Sequence, residues 1–375
     1  MILRKMGKTG EEVSALGFGC MRLPTLQDGK IDLPEATKML RFAIDNGVNY
    51  VDTAWGYHNG ESEPFVGEAL KDGYRERVHL ATKLPSWLIK TREDMDHYLD
   101  EQLKRLQTDS IDFYLIHALN RRFWKNLKEN DLFDFMDKAL NQGKIKHIGF
   151  SFHDTLEVFK EIVDSYNWEF CQIQYNYVDL KYQAGAEGLR YASKKNMGIV
   201  IMEPLRGGRL ANRVPPEVAD LWKSAPKKRT PAQWALRWLW NDPDIGVVLS
   251  GMSNMEQVKE NIETAKRAVP ESLTPEELDL VAEVGRVYRS RTGVGCTGCN
   301  YCMPCPNNVL IPTAFEFYNI ALMFDDAKEA KRSYNLFVKE ENRASKCIEC
   351  GKCEELCPQR IPIIEKLKEV KALLE

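Results

Sequence analysis

Eight short runs rich in Val, Ile, Tyr and Phe recur along the chain, at 13–19, 48–53, 78–83, 111–117, 145–151, 170–175, 198–203 and 245–251. Their starts fall about 30 residues apart, the length of one strand plus the helix that returns beside it. Longer amphipathic stretches fill the gaps, and some carry helix-start chemistry. Thr91-Arg-Glu-Asp94 and Ser253-x-x-Glu256 read as capping boxes, and Thr230-Pro231 sets a cap before a proline at the first helical position. Strands alternating with helices, with no hairpin run between them, make a parallel sheet. Eight such units predict an α/β fold, a (β/α)8 TIM barrel of about 250 residues. An open doubly wound sheet is the rival, but it would carry G-x-G-x-x-G after its first strand, and that motif is missing there.

The chain has 375 residues, so a barrel leaves room for a second module. Thr274-Pro-Glu-Glu277 opens one more helix, and Arg291-Thr-Gly-Val-Gly295 breaks the pattern. The expected domains are therefore 1–290, the barrel, and 291–375, a tail. Within the tail, 312–340 reads helical: Phe315, Tyr318 and Leu322 share a face, and Tyr334, Phe337 and Val338 repeat one. An apolar fraction of 43% and a charged fraction of 29% are those of a folded globular protein. The net charge of −3 gives no electrostatic footprint for nucleic acid or an anionic membrane. No apolar stretch approaches the roughly 18 residues of a membrane span. The opening Met1-Ile-Leu-Arg-Lys-Met-Gly7 has no signal-like apolar run, and the closing Ala-Leu-Leu-Glu375 has no lipidation box. A cytoplasmic protein is expected.

Of the 10 cysteines, 8 lie between Cys296 and Cys357, while Cys20 and Cys171 stand alone. That is not how a secreted disulfide scaffold spaces its cysteines. The first cluster is Cys296-Thr-Gly-Cys299-Asn-Tyr-Cys302-Met-Pro-Cys305-Pro306, the second Cys347-Ile-Glu-Cys350-Gly-Lys-Cys353-Glu-Glu-Leu-Cys357-Pro358. The second matches the bacterial ferredoxin run C-x2-C-x2-C-x3-C-P, and the first is one residue short before its last cysteine. In such runs three close thiolates hold one cubane and the fourth reaches the other. Two crossed 4Fe-4S clusters are expected: Cys296, Cys299, Cys302 and Cys357 on one, Cys347, Cys350, Cys353 and Cys305 on the other. Zinc is the competing ligand. It takes four ligands in all, and each run already holds four with a C-P ending that zinc sites do not need. The helical insert between the runs makes the tail resemble α-helical ferredoxin modules.

A ligand site on a parallel barrel lies where the strands end. Asp52 ends the second run, Tyr57 follows it in the loop, Lys83 ends the third and His117 the fourth. A charged residue closing an apolar strand needs a partner, and Asp52 can serve Lys83. A tyrosine is protonated at neutral pH, and a nearby ammonium is expected to lower its pKa. His117 can hydrogen-bond a carbonyl oxygen. Each residue alone reads more simply as structure: a loop aromatic, a core histidine, a buried ion pair. Together, with the D-T-A-x-x-Y spacing, they resemble the catalytic tetrad of the aldo/keto reductase family over roughly residues 1–270. The C-terminal cysteines place the chain near that family's ferredoxin-bearing bacterial members. The resemblance implies hydride transfer from NADPH or NADH to a small-molecule carbonyl, with Tyr57 as general acid.

It also implies a cofactor site. Ser151 and Gln172 match the residues that hold the carboxamide, and Met202 stands where many members stack an aromatic ring on the nicotinamide. Pro204, Leu205 and Gly207 follow in the long loop. Gly251, Ser253, Gln257, Glu260 and Asn261 match the loop and helix that grip the adenosine phosphates. Gly251 and Gln257 replace the Lys and Arg usual in NADPH-preferring members, so the choice of nucleotide stays open, with Arg206 and Arg209 as other sources of charge. Trp55 and Trp87 read as pocket lining or as packing, and Trp234, Trp238 and Trp240 as helix packing. Arg22, Asn120, Arg121 and Arg122 hint at an acidic or phosphorylated substrate. A hydride carries two electrons and a cluster passes one, so the clusters read as structural or sensing groups, or as a relay to a ferredoxin or flavoprotein partner. In a third reading the barrel is a non-catalytic interaction module.

Overall fold

The computed structural model describes every residue except Thr297, Cys299 and Pro358. The chain divides into two compact units, Met1–Gly207 with Gln233–Thr274, and Gly208–Ala232 with Pro275–Glu375.

The first unit opens with an antiparallel hairpin, β1 (Leu3–Lys5) and β2 (Glu12–Ser14). A closed barrel of parallel strands follows: β3 (Leu16–Gly19), β4 (Tyr50–Asp52), β5 (His79–Leu84), β6 (Ile111–Leu119), β7 (Ile145–Phe152), β8 (Phe170–Gln174), β9 (Gly198–Met202) and β10 (Val247–Ser250). β10 pairs with β3 to close it. Around it lie α1 (Leu33–Asp45), α2 (Ser62–Ala69), α3 (Arg92–Leu106), α4 (Arg121–Glu129), α5 (Leu132–Asn141), α6 (Leu156–Ser165) and α7 (Gly185–Lys194). The eight-stranded α/β barrel read from the sequence is the fold.

The first run differs from the sequence reading. The run at 13–19 is not one strand: it breaks at Ala15, and its first part belongs to the hairpin. The hairpin exists because Met6 and Val13 are apolar and plug the barrel's floor, packing with Tyr50, Phe113, Phe170 and Val247. Arg4 fastens it. Its buried guanidinium donates to the backbone oxygens of Asp242 at 2.9 Å, Ile245 at 2.8 Å, Ala268 at 2.7 Å and also Trp240.

Strand residues alternate between the interior and the helix layer. Tyr50, Ala81, Leu115 and Val200 point inward. Val51, Leu80, Tyr114 and Ile201 face the helices. The same alternation carries Asp52 and Lys83 inward at the upper rim. Inside the barrel space is short: a Cβ on Gly149 would sit 2.6 Å from the Phe170 ring.

The second unit is helical: α8 (Arg209–Asn212), α9 (Pro216–Ser224), α12 (Pro275–Ser290), α13 (Ile311–Met323), α14 (Ala327–Phe337), α15 (Lys352–Glu355) and α16 (Ile363–Leu374). Before α12 come α10 (Pro231–Trp240), which spans both units, and α11 (Met255–Ala265) in the first. Trp234 and Trp240 of α10 are fully buried, which is packing. The stretch at 312–340 is two helices, because Asp326 caps α14 by accepting from the Glu329 N–H. Phe315, Tyr318, Tyr334 and Val338 are buried as expected, but Phe337 is 69% exposed. The start of α11 also differs: Asn254, not Ser253, is the cap, accepting from the Gln257 N–H at 2.9 Å. Among the described residues no helix is long and apolar enough to cross a membrane.

Candidate functional site

Three strand ends and one turn build the barrel's mouth. Lys83 on β5 is fully buried, and its Nζ donates to Asp52 Oδ1 and Oδ2 and to the Thr53 carbonyl, each at 2.7 Å. Tyr57 opens a tight turn after β4, where His58 and Asn59 adopt φ of 50° and 55°. Lys83 Nζ lies 5.0 Å from the Tyr57 ring centroid. The Tyr57 and His117 rings are 6.2 Å apart, and Trp87 lies 5.1 Å from His117. The four residues singled out in the sequence therefore converge. His117 is aimed by a register shift in β6: Ala118 takes φ 52°, and its N–H donates to Ser151 Oγ at 2.7 Å. Nothing in the sequence signals that bulge.

Electrostatics corrects one expectation. Lys83 pulls the Tyr57 pKa down, but burial pushes it up more, and Asp52 adds to the rise, so the phenol ends above its ordinary value. Asp52 already engages Lys83, which limits what that cation gives the phenol. For Lys83 itself burial works against the charge, yet Asp52 and then Tyr57 outweigh it and the ammonium is held. His117 is driven well below its ordinary pKa by burial, then by Lys83 and His153. It is a neutral imidazole at pH 7, and its Nδ1 is buried without a hydrogen-bond partner among the described residues.

The residues expected to hold nicotinamide stand side by side, Ser151 against Gln172 across β7–β8, and Met202 on β9. Gln172 Nε2 donates to Met202 Sδ at 3.4 Å, while its Oε1 is buried with no partner among the described residues. A hydroxyl beside an orphaned amide oxygen suits a carboxamide, which both donates and accepts. At the end of β10, Asn261 Nδ2 donates to Ser250 Oγ at 3.0 Å, and the Ser253 N–H donates to Gln257 Oε1 at 2.9 Å. Gly251 leaves room for Arg22, whose Cβ would lie 3.1 Å from a side chain there. In the loop holding Pro204, Leu205 and Gly207, Glu203 and Arg206 take φ of 54° and 46°. Arg206 is not a spare cation: its Nε pairs with Asp179 at 3.1 Å. Asn120 is likewise spent, capping α4 by accepting from the Phe123 N–H at 2.9 Å, and Arg121 pairs with Glu161 at 3.7 Å. Of the two mouth tryptophans, Trp87 faces His117 and is 42% exposed, whereas Trp55 packs under Arg105.

In the second unit Cys296, Cys302 and Cys357 line one pocket, with Ile311, Phe315 and Ile363 as its apolar wall. Cys357 thus comes from the second run to join two thiols of the first. Cys299 and Pro358 lie outside the described residues. Cys353 is buried and its thiol pushed up to about 11, by burial first, with Cys347 and Cys305 among the neighbours that add to the rise. Cys305 therefore stands with the second run, and Cys350 is exposed. Among the described residues no three His, Cys, Asp or Glu side chains close on a point fit for a single metal ion. Soft thiolates around an apolar-walled cavity fit an iron–sulfur cubane.

Comparison with known proteins follows these two sites. Residues 15–284 match the model of the aldo/keto reductase family, and residues 295–361 match that of the 4Fe-4S dicluster domain. The uncharacterized oxidoreductase YrpG of Bacillus subtilis (strain 168) is 27% identical over 322 residues, 74% of this chain and 94% of the relative. The L-galactose dehydrogenase of Arabidopsis thaliana is 27% identical over 279 residues, 69% of this chain and 86% of the relative. The holo form of an aldo-keto reductase from Bacillus halodurans superposes with a TM-score of 0.64 at 28% identity, covering 76% of this chain and 96% of that one.

Proposed function

The chain belongs to the aldo/keto reductase family, and from that premise we propose that it reduces an aldehyde or ketone, with Tyr57 giving the proton. The observation that carries the reading is the convergence of Tyr57, Lys83 and His117 on one mouth, with Lys83 fastened by Asp52. NADH or NADPH, when bound, supplies the hydride that reaches the carbonyl carbon. Ser151 and Gln172 would hold its carboxamide, with Met202 against the ring face. The residues at 204–207 and the β10–α11 junction, Gly251 to Asn261, would hold its phosphates.

The chain's own groups manage the oxygen. His117, neutral, offers one ring N–H to the carbonyl oxygen and orients it. Tyr57 keeps its proton at neutral pH because burial resists the phenolate, and it passes that proton to the oxygen as charge develops there. Lys83 then stabilises the phenolate left behind, and Asp52 keeps Lys83 charged and in place. One hydride at carbon and one proton at oxygen give the alcohol.

For the tail, the cavity thiols support one 4Fe-4S cluster on Cys296, Cys299, Cys302 and Cys357, and the grouping of Cys305 with Cys347 and Cys353 supports a second that includes Cys350. Such clusters suit one-electron exchange with a ferredoxin or flavoprotein partner, and thiols free of disulfides among the described residues suit the reducing cytoplasm. The test is anaerobic purification with iron and sulfide analysis, then NADPH and NADH oxidation against a carbonyl panel. Equal rates for the parent and Tyr57→Phe would remove Tyr57 as the acid.

A further inference from the structure

Glu63, the second residue of α2, is fully buried. A glutamate there ordinarily faces water, and a buried carboxylate is costly unless it is satisfied. This one is satisfied. Oε1 accepts from Thr82 Oγ1 at 2.7 Å and from Gln102 Nε2 at 2.6 Å, and Oε2 lies 3.5 Å from Arg105 Nη1. Two of these partners lead to the mouth. Gln102 Nε2 also donates to the Lys83 carbonyl at 3.0 Å, and Gln102 Oε1 accepts from Tyr114 OH at 2.7 Å. The Arg105 guanidinium lies 3.4 Å from the Trp55 ring centroid, two residues before Tyr57. The neighbouring Ser62 Oγ is 2.8 Å from Thr53 Oγ1, and the Thr53 carbonyl receives Lys83 Nζ.

Two adjacent side chains thus reach both ends of Lys83. Ser62 acts on its ammonium through Thr53, and Glu63 on its backbone through Gln102. The same carboxylate reaches the Tyr57 turn through Arg105 and Trp55. The titratable groups around it are Arg105 from α3, Tyr114 from β6, and beyond the β5 backbone Lys83 and Asp52. An apolar contact would pack α2 as firmly without the desolvation cost. We propose that Glu63 is a positioning residue that fixes Lys83 relative to Tyr57, an inference that rests on the carbonyl-reduction reading above. Its carboxylate touches no reacting atom. It sets the geometry in which the ammonium meets the phenol, and small misplacements there are expensive in rate.

The experiment first assays the full, cluster-bearing protein and Tyr57→Phe with a panel carbonyl, which decides the reduction reading alone. Glu63→Gln and, as a gentler variant that exchanges a hydroxyl for a methyl, Thr82→Val are then compared with the parent. Expected is a fall in kcat of about tenfold to 100-fold for Glu63→Gln, with KM for nucleotide and carbonyl within about twofold. The basic limb of the kcat profile moves to higher pH, because a displaced ammonium helps the phenolate less. Thr82→Val moves in the same direction by less. A fall in thermal stability with kcat and the limb unchanged, or a limb moving to lower pH, overturns the proposal. If the parent turns over no carbonyl, the reduction reading fails by itself. The brace is then read from reductive methylation of Lys83 by mass spectrometry. Labelling about tenfold faster in Glu63→Gln supports it, and an unchanged rate overturns it.

Discussion

In the barrel's mouth the Lys83 ammonium has carboxylate and carbonyl oxygens at 2.7 Å, all supplied by the protein. In the tail the thiols of Cys296, Cys302 and Cys357 face a cavity, and Cys350 faces solvent. The first site is held by its fold: alternate strand residues deliver Asp52 and Lys83, and a layer of hydrogen bonds from α2 and α3 backs them. The second is carried on loops and short helices that gather thiols around a space. A barrel rim can therefore be preorganised without its ligand. A cluster site draws part of its order from what it binds.

Four measurements break or sharpen that contrast. Tyr57→Phe should lower carbonyl turnover by about 100-fold to 10,000-fold while iron content and thermal unfolding stay at the parent's values. A loss of fold with it would mean that the mouth is not preorganised. Arg4→Ala should destabilise the barrel by about 3 kcal/mol in urea titration, because backbone carbonyls lose a buried cation. Turnover below the transition should persist, since Arg4 holds the floor and not the rim. Cys357→Ser should lower bound iron by about half, and combining it with Cys296→Ser should lower it no further, as crossed ligation requires. A further drop would put Cys357 on the other cluster.

The smallest effect concerns pH. His147 Nδ1 lies 2.9 Å from Glu169 Oε1, and His147 Nε2 lies 3.5 Å from Glu11 Oε1 in the hairpin's connection. Burial works against its charge, but Glu169 and then Glu11 outweigh burial and raise its pKa. A raised folded-state pKa gives stability that is complete below the unfolded value and lost as pH climbs through the folded one. Urea midpoints should therefore fall as pH rises above the ordinary histidine value of about 6.5, and His147→Gln should flatten that slope, an effect of no more than about 1 kcal/mol.

Much of this was legible in the residues, for reasons that can be named. Parallel strands are buried on both faces, so their Val and Ile runs stand out. An Asp, Lys or His closing such a run has nowhere to point but the rim. Elsewhere the sequence was silent. The hairpin strands are three residues each, too short to show a period. Glu63 reads as a solvated helix residue because its satisfaction comes from Thr82, Gln102 and Arg105, up to 42 positions away. The Tyr57 shift depends on depth, which side-chain type does not record. Phe337 repeats a helical spacing yet faces out, because α14 starts afresh at its own cap.

The Arg4 anchor also constrains when this chain can finish folding. Its acceptors lie more than 235 positions downstream, and β3 must wait for β10 before the ring closes. While the ribosome is still adding those segments, β3 has an unpaired edge and Arg4 lacks its acceptors. Closure is therefore a late event in synthesis, and it belongs to the slow, long-range class of folding steps. Nascent chains halted before Ala268 should bind chaperones, and those released beyond it should not.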